Sequence, residues 1–415
     1  MSGNKKTAIC IVVENLPVPL DRRVWCEARA LRDAGYLVSV VCPKGKKSCT
    51  ASYETIEGIQ IYRHKVWEAS SKFGYILEYS LALIAEFYLV FKVFARSRFR
   101  ILQGCNPPDN IFLLGLLLKP FGVRYIFDHH DLAPEALEAK FGKANGLLSA
   151  FTRFAERCSF KVATVSIATN GSFKEKAIQR GGKRTDQVFV VRNCPDLSAF
   201  GPRMPQPKLK AGKPLLVTYV GFMGRQDGVD LLVEAIEHIV KTEKRKDAHF
   251  LLMGGGSMLP ELQRLAAQKE LEPFVTFTGQ IAHDEVVNHL SNADIGVASD
   301  PKTPMNDCST MIKIFEYMAA GLPVVLFDLK EGRNTAGSAA LYATPNDPVD
   351  LARQIGRLLD DRELRLRLGA AGRKRVEDGL NWESEKMGLL QAYSMALEDR
   401  AGCKETKADT RLRKT

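Results

Sequence analysis

Apolar segments of strand length alternate with amphipathic segments of helix length along nearly the whole chain, and this alternation constrains the fold most strongly. It opens with TAICIVVE (7–14), continues through the amphipathic RRVWCEARALRDAG and returns to an apolar run, YLVSVVCP. Strands buried on both faces of a parallel sheet read as continuous apolar runs, and the helices between them cover those faces. The pattern therefore predicts an α/β protein built on parallel sheet.

The alternation runs in two series, separated by the proline-rich segment FGPRMPQPKLKAGKP (200–214), which has no apolar period. A chain of 415 residues also exceeds what one hydrophobic core usually serves. We therefore predict two doubly wound, Rossmann-like domains facing across a cleft, over residues 1–200 and 201–381. A helix at about 382–399 is expected to pack back on the first domain, and the polar tail 400–415 to be disordered. In such sheets, ligands bind at the carboxyl ends of the strands.

Charge and cysteine content narrow the classes of function. The net charge is +11, which favours an anionic partner, but no zinc finger, aromatic RNA-binding signature or DNA-reading helix accompanies it, so we expect no nucleic acid. The nine cysteines are scattered and never form a CxxC pair, which argues against a zinc site or a disulfide framework. The opening MSGNKK leads into a strand with no signal-peptide pattern, so we expect a cytoplasmic protein.

One segment, Tyr75–Arg100, is apolar around most of its helical circumference and ends in the basic cluster RSRFR (96–100). Glu78, Glu86 and Lys92 interrupt it, which argues against a membrane-spanning helix. Two interpretations remain open. The segment is either an interfacial helix with its arginines on anionic headgroups, or a helix buried against the sheet.

The strongest local signal is STMIKIFEYMAAGLPVVLFD (309–328). Ser309 and Thr310 are predicted to cap a helix from about Met311 to residue 320, because hydroxyl side chains favour that position. The start of a helix can hold a diphosphate without metal, and Lys313 adds a full charge there. Glu316 lies on the same helical face and can accept both hydroxyls of a ribose. The alternative is an ordinary helix with a surface Lys–Glu pair.

Two further loops follow predicted strands in the first domain. FDHHDLAPE (127–135) presents His129 or His130 for proton transfer or substrate orientation, with Asp131 to fix the imidazole tautomer. A metal site is disfavoured there, because side chains at i and i+1 diverge and no other ligand cluster is in view. Arg22 and Arg23, after the first strand, are candidates for an acceptor phosphate or a lipid headgroup, or form a basic first helical turn.

FEYMAAGLPVV resembles the signature of the family 4 glycosyltransferases, retaining enzymes of the GT-B fold, and the likeness extends from the Thr7 strand to Trp382. The resemblance implies that Glu316 binds the donor ribose and that Thr310 and Met311 offer backbone amides to the donor sugar. It also places His130 close to the reacting sugar. The predicted catalytic residues are therefore His130, Asp131 and Glu316, with no metal and no cofactor.

The sequence departs from the family pattern before this helix. Relatives carry a second Glu eight residues before the first, where this chain has Cys308. Asp307, beside it, is expected to hold sugar hydroxyls instead. Ser309, which follows Cys308, is also predicted to bind the donor.

It departs again in YVGFMGRQDGVDLLVEA, which begins at Tyr219 and resembles the family's phosphate-binding glycine loop at Gly221. Phe222 and Asp227 stand where an Arg and a Lys usually grip the phosphates, so Arg225 is expected to restore the charge. Gly255, in MGGGS, marks either a turn that faces the nucleobase or only a tight connection.

The branch that the chain resembles most serves bacterial surface-polysaccharide synthesis. This implies transfer from a nucleotide-sugar, UDP-linked by preference, to a glycolipid or polysaccharide acceptor by a peripheral protein on the inner face of the cell membrane. A nucleotide-sugar epimerase of the same fold and a catalytically silent partner subunit are the alternatives. A dehydrogenase is disfavoured, because no GxGxxG with a following acidic residue opens either half.

Overall fold

The long apolar runs form the predicted strands, in two separate sheets that belong to two α/β units of the chain. The first unit contains residues 1–191 together with residues 386–415, and the second contains Arg192–Glu385. The structure, a computed structural model, describes residues 6–46, 48–65, 72–141, 146–201 and 203–398.

The first unit contains an eight-stranded sheet in the order β3-β4-β2-β1-β5-β6-β7-β8. All neighbouring pairs are parallel except β3 and β4, which form an antiparallel hairpin that was not predicted. The strands β1 to β8 are, in chain order, Ala8–Val13, Leu37–Pro43, Tyr53–Ile56, Ile59–His64, Ile101–Cys105, Arg124–His129, Val165–Ala168 and Val188–Val190.

Six helices connect these strands. The first begins after Asp21, whose side chain accepts a hydrogen bond from the Val24 amide and so caps it. The described part of the helix predicted to be interfacial or buried has both kinds of side chain, since Val90 is buried and Tyr88 exposed. The helices α1 to α6 are Arg22–Asp33, Lys72–Ser97, Phe112–Leu118, Ala133–Phe141, Gly146–Val162 and Gly171–Gln179.

The second unit has a six-stranded, fully parallel sheet in the order β11-β10-β9-β12-β13-β14. The chain direction along the sheet reverses between β9 and β12, so the connections leave these two strands toward opposite sides and open a crevice at their carboxyl ends. The strands β9 to β14 are Leu215–Val220, Ala248–Met253, Val275–Gly279, Ile295–Ala298, Val324–Phe327 and Ala340–Ala343.

Eight α-helices follow in the described part of the chain, and all but the last lie within the second unit. The final helix starts there, and its residues from Lys386 onward belong to the first unit, where the Tyr393 ring lies 5.8 Å from that of Tyr36. The helices α7 to α14 are Val229–Glu237, Leu259–Gln268, His283–Leu290, Ile312–Ala319, Lys330–Ala336, Pro348–Asp360, Arg362–Asp378 and Trp382–Glu398.

The segment expected to be a linker packs onto the second unit. Cys194 and Phe200 are buried in that unit's core, and Leu209 packs against it. Apolar side chains spaced among prolines therefore attach this segment, which contains the short 3₁₀ helices Leu197–Ala199 and Pro207–Lys210. The two units divide nearer Val191 than residue 200. The predicted tail 400–415 lies outside the described residues.

The eight described cysteines form no disulfide with one another, and Cys10 and Cys42 are small buried side chains. Among the described residues, every helix is too short or too polar to cross a bilayer.

Candidate functional site

A cavity of about 280 Å³ opens where β9 and β12 diverge in the second unit. The loops after both strands and the start of α10 contribute its walls. This is the position at which doubly wound sheets bind ligands. The lining residues are Val220, Gly221, Phe222, Asp227, Asp300, Thr310, Met311, Ile312, Lys313 and Glu316.

The helix α10 begins one residue later than predicted and lacks the predicted cap. Its cap residue is Met311, which makes no side-chain capping bond, while the Ser309 hydroxyl donates to the Met305 carbonyl. The prediction that Ser309 caps this helix is therefore wrong, because a turn of 3₁₀ helix at Asn306–Cys308 brings a closer carbonyl to the hydroxyl. Without a capping side chain, the first amides of α10 are left for water or an anion at the cavity wall.

Lys313 is buried at the base of the cavity beside a carboxylate that the sequence reasoning missed. Its Nζ donates to the Asp300 carboxylate at 3.1 and 3.2 Å and to the Tyr219 hydroxyl at 3.2 Å. Burial alone would lower the pKa of Lys313, but Asp300 outweighs it and raises the pKa, so the lysine stays charged. Lys313 also lines the cavity, so its ammonium charge lies at the wall that a ligand would meet.

Glu316 lies one turn along the helix from Lys313, is 8% exposed and lines the cavity. The next residue fixes its position. Tyr317 is fully buried, accepts a hydrogen bond from the Val220 amide and donates one to the Val297 carbonyl. Through this hydroxyl, α10 is bonded to both strands that flank the crevice, so Lys313 and Glu316 are held on a rigid support.

The loop after β9 contributes Gly221 and the 58% exposed Phe222 to the cavity. Asp227, which stands where the family resemblance implies a cation in relatives, accepts a hydrogen bond from the Gly224 amide at 3.0 Å and so closes the turn of this loop. Arg225 is exposed and lies outside the lining residues, so the structure does not bring it to Lys313.

The glycines of MGGGS serve close packing of two loops. A Cβ on Gly254 would lie 1.8 Å from the Gly221 carbonyl oxygen, and one on Gly256 would lie 2.4 Å from that of Met223. Gly255 itself is not a lining residue, and its carbonyl accepts from the Met223 amide. These contacts favour the tight-connection interpretation of this loop.

Asp307 is not brought to the cavity. Its carboxylate accepts from the Lys330 amide at 2.9 Å, which satisfies the first turn of α11. The predicted role in holding sugar hydroxyls is therefore replaced by a helix-capping one, since the 3₁₀ turn directs the side chain toward that helix.

In the first unit, the two adjacent histidines lie in different environments. His129 is fully buried, with its ring 5.3 Å from Phe127, 5.2 Å from Phe160 and 5.0 Å from Phe173. His130 keeps a 15% exposed side chain at the carboxyl end of β6. Only His130 is therefore placed to meet a substrate.

Asp128, not Asp131, holds the His130 ring. The Asp128 carboxylate lies 2.7 Å from His130 Nε2, whereas Asp131 is exposed. The Arg23 guanidinium lies 2.9 Å from the same nitrogen, so both contacts fall on Nε2 and Nδ1 is the ring nitrogen that remains for proton exchange. Burial alone would lower the pKa of His130, but Asp128 outweighs it and raises the pKa.

Arg23 belongs to the same buried cluster. It donates to Asp128 at 2.8 Å and to the Val191 carbonyl at 2.8 Å, and Glu27 lies 3.1 Å away. A guanidinium so occupied cannot grip a phosphate, and the prediction for Arg23 is wrong. Arg22, one residue earlier, is exposed and keeps its predicted role as a candidate.

The cluster extends to the last helix through Gln103. Its side-chain amide donates to Asp128 at 3.0 Å and to Glu27 at 2.7 Å, while its carbonyl accepts from the Tyr393 hydroxyl. Neither Gln103 nor Tyr393 was predicted, because no local pattern links residues so far apart in sequence.

Cys105, Asp128 and His130 bring possible metal ligands within 4.8 Å of one another. The Arg23 guanidinium, however, lies 2.8 Å from Asp128 and 2.9 Å from His130. A second cation there would meet a fixed positive charge, so the geometry disfavours a metal among these three residues.

Asp109, in the NPPDN loop, should make stability fall with rising pH. Burial and, second, Glu156 raise its pKa to about 8, and its Oδ2 has no hydrogen-bond partner among the described residues. A raised pKa contributes stability that is complete below the unfolded value near pH 4 and is lost up to about pH 8. Asp109→Asn should remove a slope approaching ~1.4 kcal/mol per pH unit.

Urea unfolding followed by circular dichroism between pH 5 and 8 measures this slope. Asp33→Asn, at an exposed acid of the same unit, is the matched control and should keep the parent slope. Equal slopes in Asp109→Asn and the parent would contradict the assignment.

Two family models match the chain, one for each half. The model "Glycosyl transferase 4-like domain" covers residues 21–194, and "Glycosyl transferases group 1" covers residues 214–361. The second match contains the whole cavity.

Curated relatives align over part of their length. The chain is 29% identical to an alpha-D-kanosaminyltransferase of Streptomyces kanamyceticus over 37% of this chain and 38% of that protein. It is 26% identical to a D-inositol 3-phosphate glycosyltransferase of Kineococcus radiotolerans over 59% of this chain and 60% of the relative. The alignments thus span about half the length of these relatives.

Solved structures share the fold across more than nine-tenths of the chain. A sucrose-phosphate synthase of Thermosynechococcus elongatus superposes with a TM-score of 0.75 at 21% identity, covering 95% of this chain and all of the other. HepE of Anabaena, solved in complex with UDP-glucose, gives a TM-score of 0.70 at 14% identity and covers 93% of this chain and 99% of its own. At sequence identities this low, the superpositions show a shared fold and nothing about a shared activity.

Proposed function

Because this chain belongs to the family 4 type of GT-B glycosyltransferases, we propose that it transfers a sugar, with retention at the anomeric carbon, from a nucleotide diphosphate donor. UDP is the preferred base, and the acceptor is a lipid-linked sugar or a polysaccharide. The observation that carries the proposal is the cavity at the start of α10, where uncapped amides, Lys313 and Glu316 meet.

The donor diphosphate binds at the first turn of α10. The helix dipole contributes roughly half a positive charge there, and Lys313 contributes a full one on a buried, strand-supported side chain. Asp300 is paired with Lys313, whereas Asp227 and Glu316 make the remainder of the wall acidic, which suits sugar and ribose hydroxyls as hydrogen-bond donors. The site therefore separates an anion-binding edge from a hydroxyl-binding wall.

The reaction needs no protein nucleophile. The acceptor hydroxyl attacks the anomeric carbon from the side of the leaving group, the bond from that carbon to the phosphate oxygen breaks, and the same phosphate takes the acceptor proton. The protein supplies placement and electrostatic support for the departing diphosphate. His130 acts on the acceptor side, with Asp128 fixing its ring.

No metal is part of the proposal, since the helix start and Lys313 provide the charge that a divalent ion would otherwise supply. Activity should therefore persist in EDTA. The proposed location is cytoplasmic, peripheral on the inner face of the cell membrane, where a lipid-linked acceptor would be met.

Glu316→Ala tests the donor site. If Glu316 accepts the ribose hydroxyls, the donor KM should rise and kcat fall, with kcat/KM reduced about tenfold to 100-fold by the loss of charged hydrogen bonds. Glu234→Ala, at an exposed acid of the same unit, is the control and should leave transfer unchanged. Full activity of Glu316→Ala in a radiolabelled-donor assay would refute the role.

The same assay separates the alternatives. An epimerase would release a free altered sugar from donor alone, whereas a transferase needs the acceptor. A silent subunit would bind nucleotide and turn over nothing under either condition.

A further inference from the structure

The first unit carries an apolar surface that its own fold leaves uncovered. Nine of the fourteen exposed large hydrophobic side chains described in this unit lie on α2, α3, the turn after α3, or α5. Tyr88 is 68% exposed, Phe121 64% and Phe154 62%. Exposed apolar patches of this density mark interaction sites in soluble proteins.

These helices lie on one side of the sheet. The strands β4, β2, β1, β5, β6 and β7 are neighbours in that order, and α2, α3 and α5 each connect strands in the same direction along it. Right-handed crossovers place such helices on a common face. Contacts join them, because the Phe94 ring of α2 lies 5.8 Å from Phe121 and α3 packs against α5. We call their exposed side chains, within residues 81–100, 111–124 and 149–162, the outer helical face.

The charge of this face has a single sign. Its three segments contain nine basic residues and two acidic ones, and both acids, Glu86 and Glu156, are fully buried. On α5, Phe154, Arg157 and Lys161 follow one another at helical spacing, so apolar and basic side chains share one stripe. The exposed charges are therefore all positive and lie among aromatic and leucine side chains.

We infer that the outer helical face docks onto a bilayer that contains anionic lipid. Aromatic and leucine side chains enter the acyl boundary while arginines and lysines meet the phosphates. This deepens the membrane location in the proposed function and names the surface responsible, which extends well beyond α2.

A second copy of the chain is a poorer occupant. In a symmetric pair the same patch meets itself, and this patch would bring basic residues against basic residues without an exposed acid of its own to pair with them. Anionic headgroups, by contrast, complement both the charge and the apolar side chains.

The test measures sedimentation of the full chain with vesicles of phosphatidylcholine alone or of phosphatidylcholine mixed with phosphatidylglycerol, which supplies the anionic headgroups. The parent should bind the anionic vesicles and lose binding on raising salt. Phe154→Ser/Arg157→Glu should weaken binding at least about tenfold, because it removes one aromatic side chain from the acyl boundary and reverses one charge at the headgroups.

Leu366→Ser/Arg367→Glu is the matched control, because it changes an exposed leucine and an exposed arginine on α13 of the second unit. It should bind vesicles like the parent. UDP binding, measured by calorimetry without vesicles, should be unchanged in both variants, so failure of membrane docking and failure of the donor site are separable.

Three results would overturn the inference: no binding of the parent to anionic vesicles, equal loss in the control and the α5 variant, or a parent dimer in solution that the α5 variant dissociates. Circular dichroism of each variant shows that the fold is retained.

Discussion

Asp128→Ala should destabilise the first unit by about 3–5 kcal/mol, because it removes the main charge partner of a buried arginine. Asp128 is fully buried and accepts hydrogen bonds from Arg23 at 2.8 Å and from Gln103 at 3.0 Å. Burial alone would raise the pKa of Asp128, but Arg23 outweighs it and lowers the pKa, so the carboxylate is charged at neutral pH. Without Asp128, the Arg23 guanidinium stays in the core with Glu27, 3.1 Å away, as its remaining acidic neighbour.

Asp131→Ala is the matched control, three residues further along the chain and just past the end of β6. Its side chain is exposed, and an exposed substitution should change the free energy of unfolding by no more than about 0.5 kcal/mol. Urea unfolding followed by circular dichroism provides both values. Equal destabilisation by the two variants would show that the buried cluster does not hold this part of the fold.

Lys313→Met should combine a loss of stability with a loss of donor binding. The substitution leaves the Asp300 carboxylate, 1% exposed, without the ammonium that bonds it, and breaking a buried pair from one side costs about 3–5 kcal/mol. Donor affinity should fall at least about tenfold, the effect of losing one charged hydrogen bond.

A second variant separates these two effects. Lys313→Met/Asp300→Asn removes the orphaned charge as well, so most of the stability should return while donor binding stays weak. Thermal unfolding and calorimetry with UDP measure the two quantities. If the double variant bound UDP like the parent, Lys313 would be a structural residue of the cavity wall and nothing more.

The order of elements could be predicted because parallel strands are buried on both faces and appear as uninterrupted apolar runs. The hairpin of β3 and β4 was missed for the same reason. Tyr53–Ile56 alternates exposed and half-buried residues, as an edge strand does, and so offers no apolar run. Its local signal was the dipeptide Glu57–Gly58, whose positive φ angles of 49° and 82° make the two-residue turn.

In the candidate site, local signals reached the residues of α10 but not their partners. Lys313 and Glu316 could be assigned to the start of one helix because a short local sequence is enough to predict where a helix begins and which of its residues share a face. Asp300 belongs to a different strand end, and its bond to Lys313 depends on strands that become neighbours only in the sheet. Asp128 and Gln103 were missed for the same reason.

Arg23 shows a signal that was present and not used. In α1 the buried positions include Arg23, Val24, Glu27 and Leu31, so the arginine lies on the apolar stripe of the helix with a glutamate one turn further on. Arg22, one position earlier, is exposed. The position around the helix therefore distinguishes the buried Arg23 from the exposed Arg22. An arginine predicted to be buried near a glutamate is expected to pair with an acidic side chain of the protein, not with a ligand.

The central claim is that a diphosphate is held, without a metal ion, by the start of α10. Its most direct test is the position of UDP in crystals of the chain grown with EDTA. The account predicts the diphosphate at the amides of Ile312 and Lys313, with the ribose hydroxyls on Glu316. Nucleotide bound at another place, or bound only after magnesium is restored, would contradict it.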